Sequence, residues 1–160
     1  MKTKELIIAL LILVLLFALV VSFDANADGC GYIEIPSINA KFDLSFFAKD
    51  ANAHQHIAML YKAQGCQRIG NHYASSATWK LENVRLGDKA YLDYVTMDGL
   101  EEVHHGGKYA CYAVMICDVN GNTLSRNGQE LVFAKTDLVC VTCVGSDSTR
   151  NYVAVFEKIS

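Results

Sequence analysis

A cysteine and an arginine lie on either side of a short polar segment near the end of the chain. The sequence runs LVCVTC over residues 138–143, then VGSDST, then RNYVAVF over residues 150–156. Val, Thr, Tyr and Phe favour strands, whereas Gly, Ser and Asp favour turns, so we expect two antiparallel strands joined by a loop at residues 144–149. This hairpin would place Cys143 and Arg150 opposite each other, with Cβ atoms roughly 5 Å apart. A fixed positive charge beside a thiol favours the thiolate and stabilises a developing oxyanion, as a cysteine nucleophile requires.

A cysteine nucleophile also needs a proton acceptor or an ion-pair partner, and histidine suits that task near neutral pH. His72 is the best placed of the five histidines, because it follows a short strand pattern ending at Asn71 and precedes a polar loop. His54 and His56 lie two apart on a predicted helix and therefore point in different directions. We expect the cluster of Glu101, Glu102, His104 and His105 to be a solvated loop, because no second group of ligands at zinc spacing accompanies it.

The other cysteines are interpreted as small buried side chains. Cys140 and Cys143 form a C-V-T-C sequence, but residues three apart on a strand face opposite sides, which argues against a redox pair. Plain structural alternatives exist for the site as well. Cys143 would then be another buried thiol, Arg150 a surface residue paired with Asp147, and His72 a loop histidine without a task.

The first 30 residues differ in character from the rest of the 160-residue chain, whose formal net charge is −3. Residues 6–23 contain no charge, and at ~1.5 Å per residue a helix of that length approaches the ~30 Å hydrocarbon thickness. Lys2 and Lys4 predict a cytoplasmic N-terminus, with the following chain outside the cell. A cleaved signal peptide is the alternative, because residues 25–27 read Ala-Asn-Ala, but the long apolar run favours an uncleaved anchor.

Residues 31–160 are the right size for one domain with its own core, after an anchor and short linker at residues 1–30. The slight net acidity gives no support to nucleic-acid binding. Two short helices are predicted, at residues 50–64 and 76–86. About eight strands are predicted, at residues 32–36, 40–44, 68–72, 89–95, 108–119, 130–134, 138–143 and 150–157.

This pattern is typical of an all-β barrel or sandwich. Both faces of the strand at residues 109–119 are apolar, which predicts a central position. Closure into a barrel with helices packed outside would provide that position.

Several segments, taken in order, are similar to those of a known family. They are I-P-S-I-N at residues 35–39, I-G-N-H-Y at 69–73, W-K-L-E-N-V-R-L-G-D-K-A-Y-L at 79–92, V-T-C at 141–143 and R-N-Y-V-A-V at 150–155. Each segment is short, but their order resembles that of the sortases, the membrane-anchored cysteine transpeptidases of Gram-positive bacteria. The chain departs from the family at the histidine, where many members have G-H-N.

The resemblance implies a closed eight-stranded β-barrel and three catalytic residues. Cys143 would be the nucleophile, His72 the general acid and base, and Arg150 the oxyanion-stabilising or substrate-orienting group. The substrate would be an LPxTG-like sorting peptide, and an amine from a peptidoglycan precursor or a pilin lysine would resolve the thioacyl enzyme. Activity should follow a bell-shaped pH profile, because His72 must be protonated while Cys143 is ionised.

The strand pattern suggests that Val139, Val141, Thr142 and Tyr152 contact this peptide. No cofactor is expected, although Glu101, Glu102 and Asp118 leave a calcium site open. Two alternatives remain: a membrane-tethered β-barrel that binds peptides without catalysis, and a cysteine peptidase whose thioacyl intermediate goes to water.

Overall fold

β-Strands account for most of this computed structural model, which describes residues 30–54, 56–71, 80–145 and 147–160. The strands are β1 (Gly31–Ile35), β2 (Ala40–Ser45), β3 (Ile57–Ala63), β4 (Cys66–Asn71), β5 (Lys89–Asp98), β6 (Glu101–Asn120), β7 (Thr123–Arg126), β8 (Gln129–Glu130), β9 (Leu138–Val144) and β10 (Asp147–Lys158). One α-helix, α1 (Ala48–Ala53), and two 3-10 helices, Pro36–Ile38 and Leu81–Asn83, complete the elements of these ranges.

Eight of these strands close into a barrel. Their order is β10-β9-β4-β3-β2-β1-β5-β6, and β6 pairs again with β10. The pairs β2–β3 and β4–β9 are parallel, and the remaining pairs are antiparallel. β7 and β8 extend the sheet from β6 as an added hairpin. The predicted eight-stranded barrel is therefore confirmed. β6 lies between β5 and β10 as expected, but its apolar side chains Tyr112, Val114 and Ile116 are exposed, so the strand is not buried on both faces.

The two faces of the barrel wall support separate cores, because side chains alternate along each strand. Inside the barrel lies the larger core, which includes Ile33, Phe42, Leu60, Ile69, Leu138, Cys140 and Phe156. The second core lies on the outer face of β4, β6, β9 and β10, under the added hairpin, and comprises Cys66, Cys117, Leu124, Val139, Val141, Val153 and Val155. Consecutive residues of β9 thus belong to different cores.

The helix predicted at residues 50–64 is wrong after residue 53. Helix α1 ends at Ala53, and residues 57–63 form β3 between β2 and β4. Gln64 and Gly65 have φ angles of 47° and 78°, so together they make the two-residue hairpin turn that joins β3 to β4.

Three other predicted segments also differ from the structure. Residues 101–105, expected to be a loop, begin the long strand β6. Of the strand predicted at residues 130–134, only Glu130 pairs in the sheet, at the end of β8. Of the predicted helix at residues 76–86, the structure shows the 3-10 helix Leu81–Asn83, and residues 72–79 lie outside the described ranges.

The apolar run at residues 6–23 also lies outside the described residues. Among the helices that the structure describes, none combines the length and apolar character needed to cross a bilayer.

Candidate functional site

The ends of β4 and β9 lie side by side, because these two strands are parallel neighbours. Asn71 is in register with Thr142. The next residue of the chain is His72 after Asn71 and Cys143 after Thr142. The Thr142 hydroxyl donates a 2.9 Å hydrogen bond to the backbone oxygen of Asn71. The Asn71 carboxamide in turn donates a 3.1 Å hydrogen bond to the backbone oxygen of Ile57 on β3. Both bonds are buried, and they fix the three strand ends together. His72 itself lies outside the described residues.

Cys143 opens onto a cavity on the outer wall of the barrel. The cavity holds about 180 Å³, and its lining is predominantly apolar. It lies between α1 and the ends of β3, β4, β9 and β10, and its lining residues are Ala48, Ala51, Asn52, Met59, Tyr61, Gly70, Asn71, Val141, Thr142, Cys143 and Asn151. The thiol is half-buried at this rim. A nucleophile beside an apolar recess can reach the backbone of a peptide whose side chain enters the recess.

Tyr61 forms part of the cavity wall, and its ring contacts the guanidinium of the buried Arg68. The guanidinium carbon of Arg68 lies 5.9 Å from the centre of the Tyr61 ring. Arg68 is 1% exposed, and it donates hydrogen bonds to the Asn122 backbone oxygen at 2.6 Å and to Gln64 Oε1 at 2.7 Å. Burial raises the pKa of the Tyr61 hydroxyl, with the nearby guanidinium opposing that shift. The tyrosine is therefore neutral at physiological pH and held in a defined position.

The structure does not place Arg150 directly opposite Cys143. Asn151 is the residue in register with Cys143, and Arg150 is in register with Asp118 on β6. The predicted register is wrong because residues 148–150 are unmatched on β9, between the Asp147–Val144 pair and the Asn151–Cys143 pair. Such a bulge shifts every later pair along the strand. Arg150 is exposed and does not line the cavity.

The four predicted peptide contacts fall in three places. Val141 and Thr142 line the cavity beside Cys143. Val139 is fully buried in the outer core. Tyr152 is paired with Thr142, so it faces the barrel interior, where it packs against the inner core and lines a separate depression with Leu81 and Val84. Tyr152 and Val141 therefore face opposite sides of the barrel wall.

All six cysteines are free thiols, and they differ in exposure. Cys140 is fully buried in the inner core, whereas Cys143 faces the outer cavity, so the two sulfurs lie on opposite faces of β9. Burial raises the pKa of Cys111 and of Cys117 to about 11. Burial also raises the pKa of Cys140 and, less strongly, those of Cys30 and Cys66.

We therefore expect iodoacetamide to modify Cys143 before the buried thiols in the folded protein. A thiol with a pKa near 11 is ionised on the order of one part in a thousand at pH 8, and burial also blocks the reagent. The thiolate fraction of Cys111 and Cys117 rises with pH until the pH passes the pKa, so their protection should weaken in strong base. Peptide mapping by mass spectrometry checks this order, and equal labelling of Cys140 and Cys143 at pH 8 would contradict it.

None of the described histidines lines the cavity at Cys143. His54 and His56 are exposed, with ring centres 5.9 Å apart. His104 and His105 lie on β6, where His105 stacks on Tyr94 at 4.8 Å. Within the described ranges, no three His, Cys, Asp or Glu side chains are arranged to hold a metal ion.

Two features of the site are not apparent from the sequence. Asn151 was overlooked because the bulge before it carries no recognised sequence signal. The cavity walls contributed by Tyr61 and Met59 were missed because residues 57–63 were interpreted as helical.

Many solved structures similar to this one are sortases. Sortase C1 from Streptococcus agalactiae matches with a TM-score of 0.58 and 16% identity over 85% of this chain and 70% of that chain. Pilus-related sortase C of Group B Streptococcus matches with a TM-score of 0.57 and 14% identity, over 84% of this chain and 69% of that one. Sortase A from Listeria monocytogenes matches with a TM-score of 0.52 and 16% identity, over 82% of this chain and 87% of that chain.

The sequence comparisons found no match, either among protein-family models or among curated proteins. The fold assignment thus rests on the closed eight-stranded barrel and its similarity to many sortase structures. On that evidence, the chain has the sortase fold.

Proposed function

We propose that the protein is a sortase-type cysteine transpeptidase. It cleaves an LPxTG-like sorting signal through a thioacyl intermediate and transfers the acyl group to an amine. The observation that carries this proposal is the position of Cys143. The thiol stands at the end of β9, at the rim of an apolar cavity, and the parallel strand β4 ends beside it one residue before His72.

Cys143 attacks the backbone carbonyl of an extended peptide, whose apolar side chain occupies the cavity between α1 and Tyr61. His72 follows Asn71 and Cys143 follows Thr142, and consecutive Cα atoms are about 3.8 Å apart. The pairing of Asn71 with Thr142 therefore supports His72 as the acid and base that serves Cys143. Protonated His72 gives its proton to the leaving amine as the thioacyl enzyme forms. It later accepts a proton from the incoming amine.

Arg150 orients the substrate from the end of the barrel. Its exposed guanidinium is one residue from Asn151, beyond the cavity rim. A planar guanidinium can donate two parallel hydrogen bonds to a peptide carbonyl or carboxylate, which an ammonium cannot reproduce. The bulge at residues 148–150 leaves its position less fixed by β9 than that of Cys143.

The anchor and the partners follow from the same proposal. The uncharged run at residues 6–23 would hold the catalytic barrel at the outer surface of the cell membrane as a single-pass protein. The acyl donors would be secreted surface proteins that carry the sorting signal. A structural neighbour described as pilus-related supports a pilin lysine as one acceptor, and a peptidoglycan precursor is the other.

Product analysis with and without an added amine tests the proposed reaction. Purified protein is incubated with LPxTG-like peptides, alone and with an oligoglycine or a lysine peptide. Transfer to the amine supports a transpeptidase. Hydrolysis in both arms identifies a peptidase, and binding without cleavage identifies a non-catalytic peptide-binding protein.

Gly70→Ala should weaken peptide use by filling the cavity. A Cβ at Gly70 would lie 3.3 Å from Val141 Cγ2 and 3.5 Å from Tyr61 Cε1, so it fits only if the wall shifts slightly. We expect kcat/KM for the peptide to fall roughly tenfold, mainly through KM. The alkylation rate of Cys143 is the control, because a small reagent does not need the cavity. Unchanged peptide kinetics in a folded variant would show that the peptide does not bind in the cavity.

A further inference from the structure

Asn151 is the side chain that faces the proposed nucleophile across the strand pair. It is in register with Cys143, and both residues line the same cavity. Directly opposed residues in an antiparallel pair have Cβ atoms about 4.5–5.5 Å apart. That separation leaves room for a carbonyl group between the sulfur and the carboxamide. Arg150, one residue earlier in the strand, does not line the cavity.

The carboxamide of Asn151 is available to a ligand. Among the described residues, it makes no hydrogen bond, and the residue is half-buried at the cavity wall. Its neighbours Asn71 and Thr142, by contrast, use their side chains to hold strand ends together. An amide NH₂ group offers two donors and is neutral at every pH of interest. A preorganised donor of this kind is most effective where charge develops in a water-poor recess.

We propose that Asn151 is a catalytic residue that donates a hydrogen bond from Nδ2 to the oxyanion. This inference rests on the proposed function. As the Cys143 thiolate forms the C–S bond, the carbonyl π pair moves to oxygen, and that oxygen accepts the Asn151 N–H. When the C–N bond breaks, the C=O bond reforms and the leaving amine takes a proton from His72. Arg150 then acts on the substrate farther from the reacting carbon.

The test compares two reactions of the same sulfur in Asn151→Ala and Asn151→Asp. Formation of the thioacyl enzyme from an LPxTG-like peptide passes through an oxyanion, whereas alkylation by iodoacetamide does not. Loss of one such donor typically slows the reaction by about 10²–10³-fold, and we expect single-turnover acylation to slow by that factor in both variants. Alkylation of Cys143 in Asn151→Ala should stay within about twofold of the wild-type rate, because the thiol keeps its position. Asn83→Ala, an exposed asparagine outside the cavity, is the matched control and should change neither rate.

The outcomes separate this inference from the function on which it depends. Wild-type acylation rates in Asn151→Ala would overturn the oxyanion role while leaving the transpeptidase intact. Equal slowing of acylation and alkylation in Asn151→Ala would also overturn it, since the residue would then only position the thiol. If the wild-type protein forms no thioacyl enzyme with any peptide tested, the proposed function fails first and the inference falls with it.

Discussion

Replacing Cys143 with alanine should abolish thioacyl formation and leave the barrel folded. The substitution removes the only thiol among the described residues that line the cavity, and no other group there can form a thioester. Cys143 is half-buried at a strand end, so we expect the free energy of unfolding to change by no more than about 1 kcal/mol. Intact-mass spectrometry after incubation with peptide, together with a urea unfolding curve, measures both effects.

Cys30→Ala is the matched control, because Cys30 is also a half-buried free thiol but packs against the inner core. This variant should acylate at the wild-type rate. Turnover that persists in Cys143→Ala would mean that another residue attacks the substrate, and the assignment of the nucleophile would be wrong.

Replacing His72 with glutamine should have the second-largest effect. General acid and base catalysis typically contributes about 10²–10⁴-fold, so we expect kcat to fall within that range. The wild-type pH profile should be bell-shaped, because protonated histidine and ionised cysteine are needed together. The alkaline limb, which reports loss of the histidine proton, should disappear in His72→Gln while the limb set by Cys143 remains.

His104→Gln provides the comparison, since His104 is an exposed histidine on β6 away from the cavity. Its profile and rate should match the wild type. If His72→Gln kept a full bell-shaped profile and the wild-type rate, another group would have to supply the proton. The proposed role of His72 as acid and base would then be wrong.

The residue pattern predicts seven of the eight barrel strands, and the family resemblance predicts their closure into a barrel. Alternating apolar residues specify β1 and β2, unbroken apolar runs specify β9 and β10, and Asn120-Gly121 marks the turn before β7. The strand β3 was missed because Ile57 and Leu60 fit a helical stripe as well as a strand. Its neighbours β2 and β4 decide its conformation, and those pairings join residues whose contact a local pattern does not reveal.

The site was predicted one residue out of register for a similar reason. Residue types identify Cys143 and Arg150, but the bulge at residues 148–150 decides which residue faces the thiol. A bulge depends on how two strands match over their whole length, and here it brings Asn151 to the cavity. The cavity itself combines α1 with four strand ends, so no single segment of the sequence contains it.

The most direct test of the account is intact-mass spectrometry of the full chain with a library of sorting peptides, followed by addition of an amine. We expect a mass increase equal to the acyl fragment, mapped to Cys143, which disappears on amine addition as the transfer product forms. An adduct on a different residue, or no adduct on Cys143 with any peptide while the protein remains folded, would contradict it.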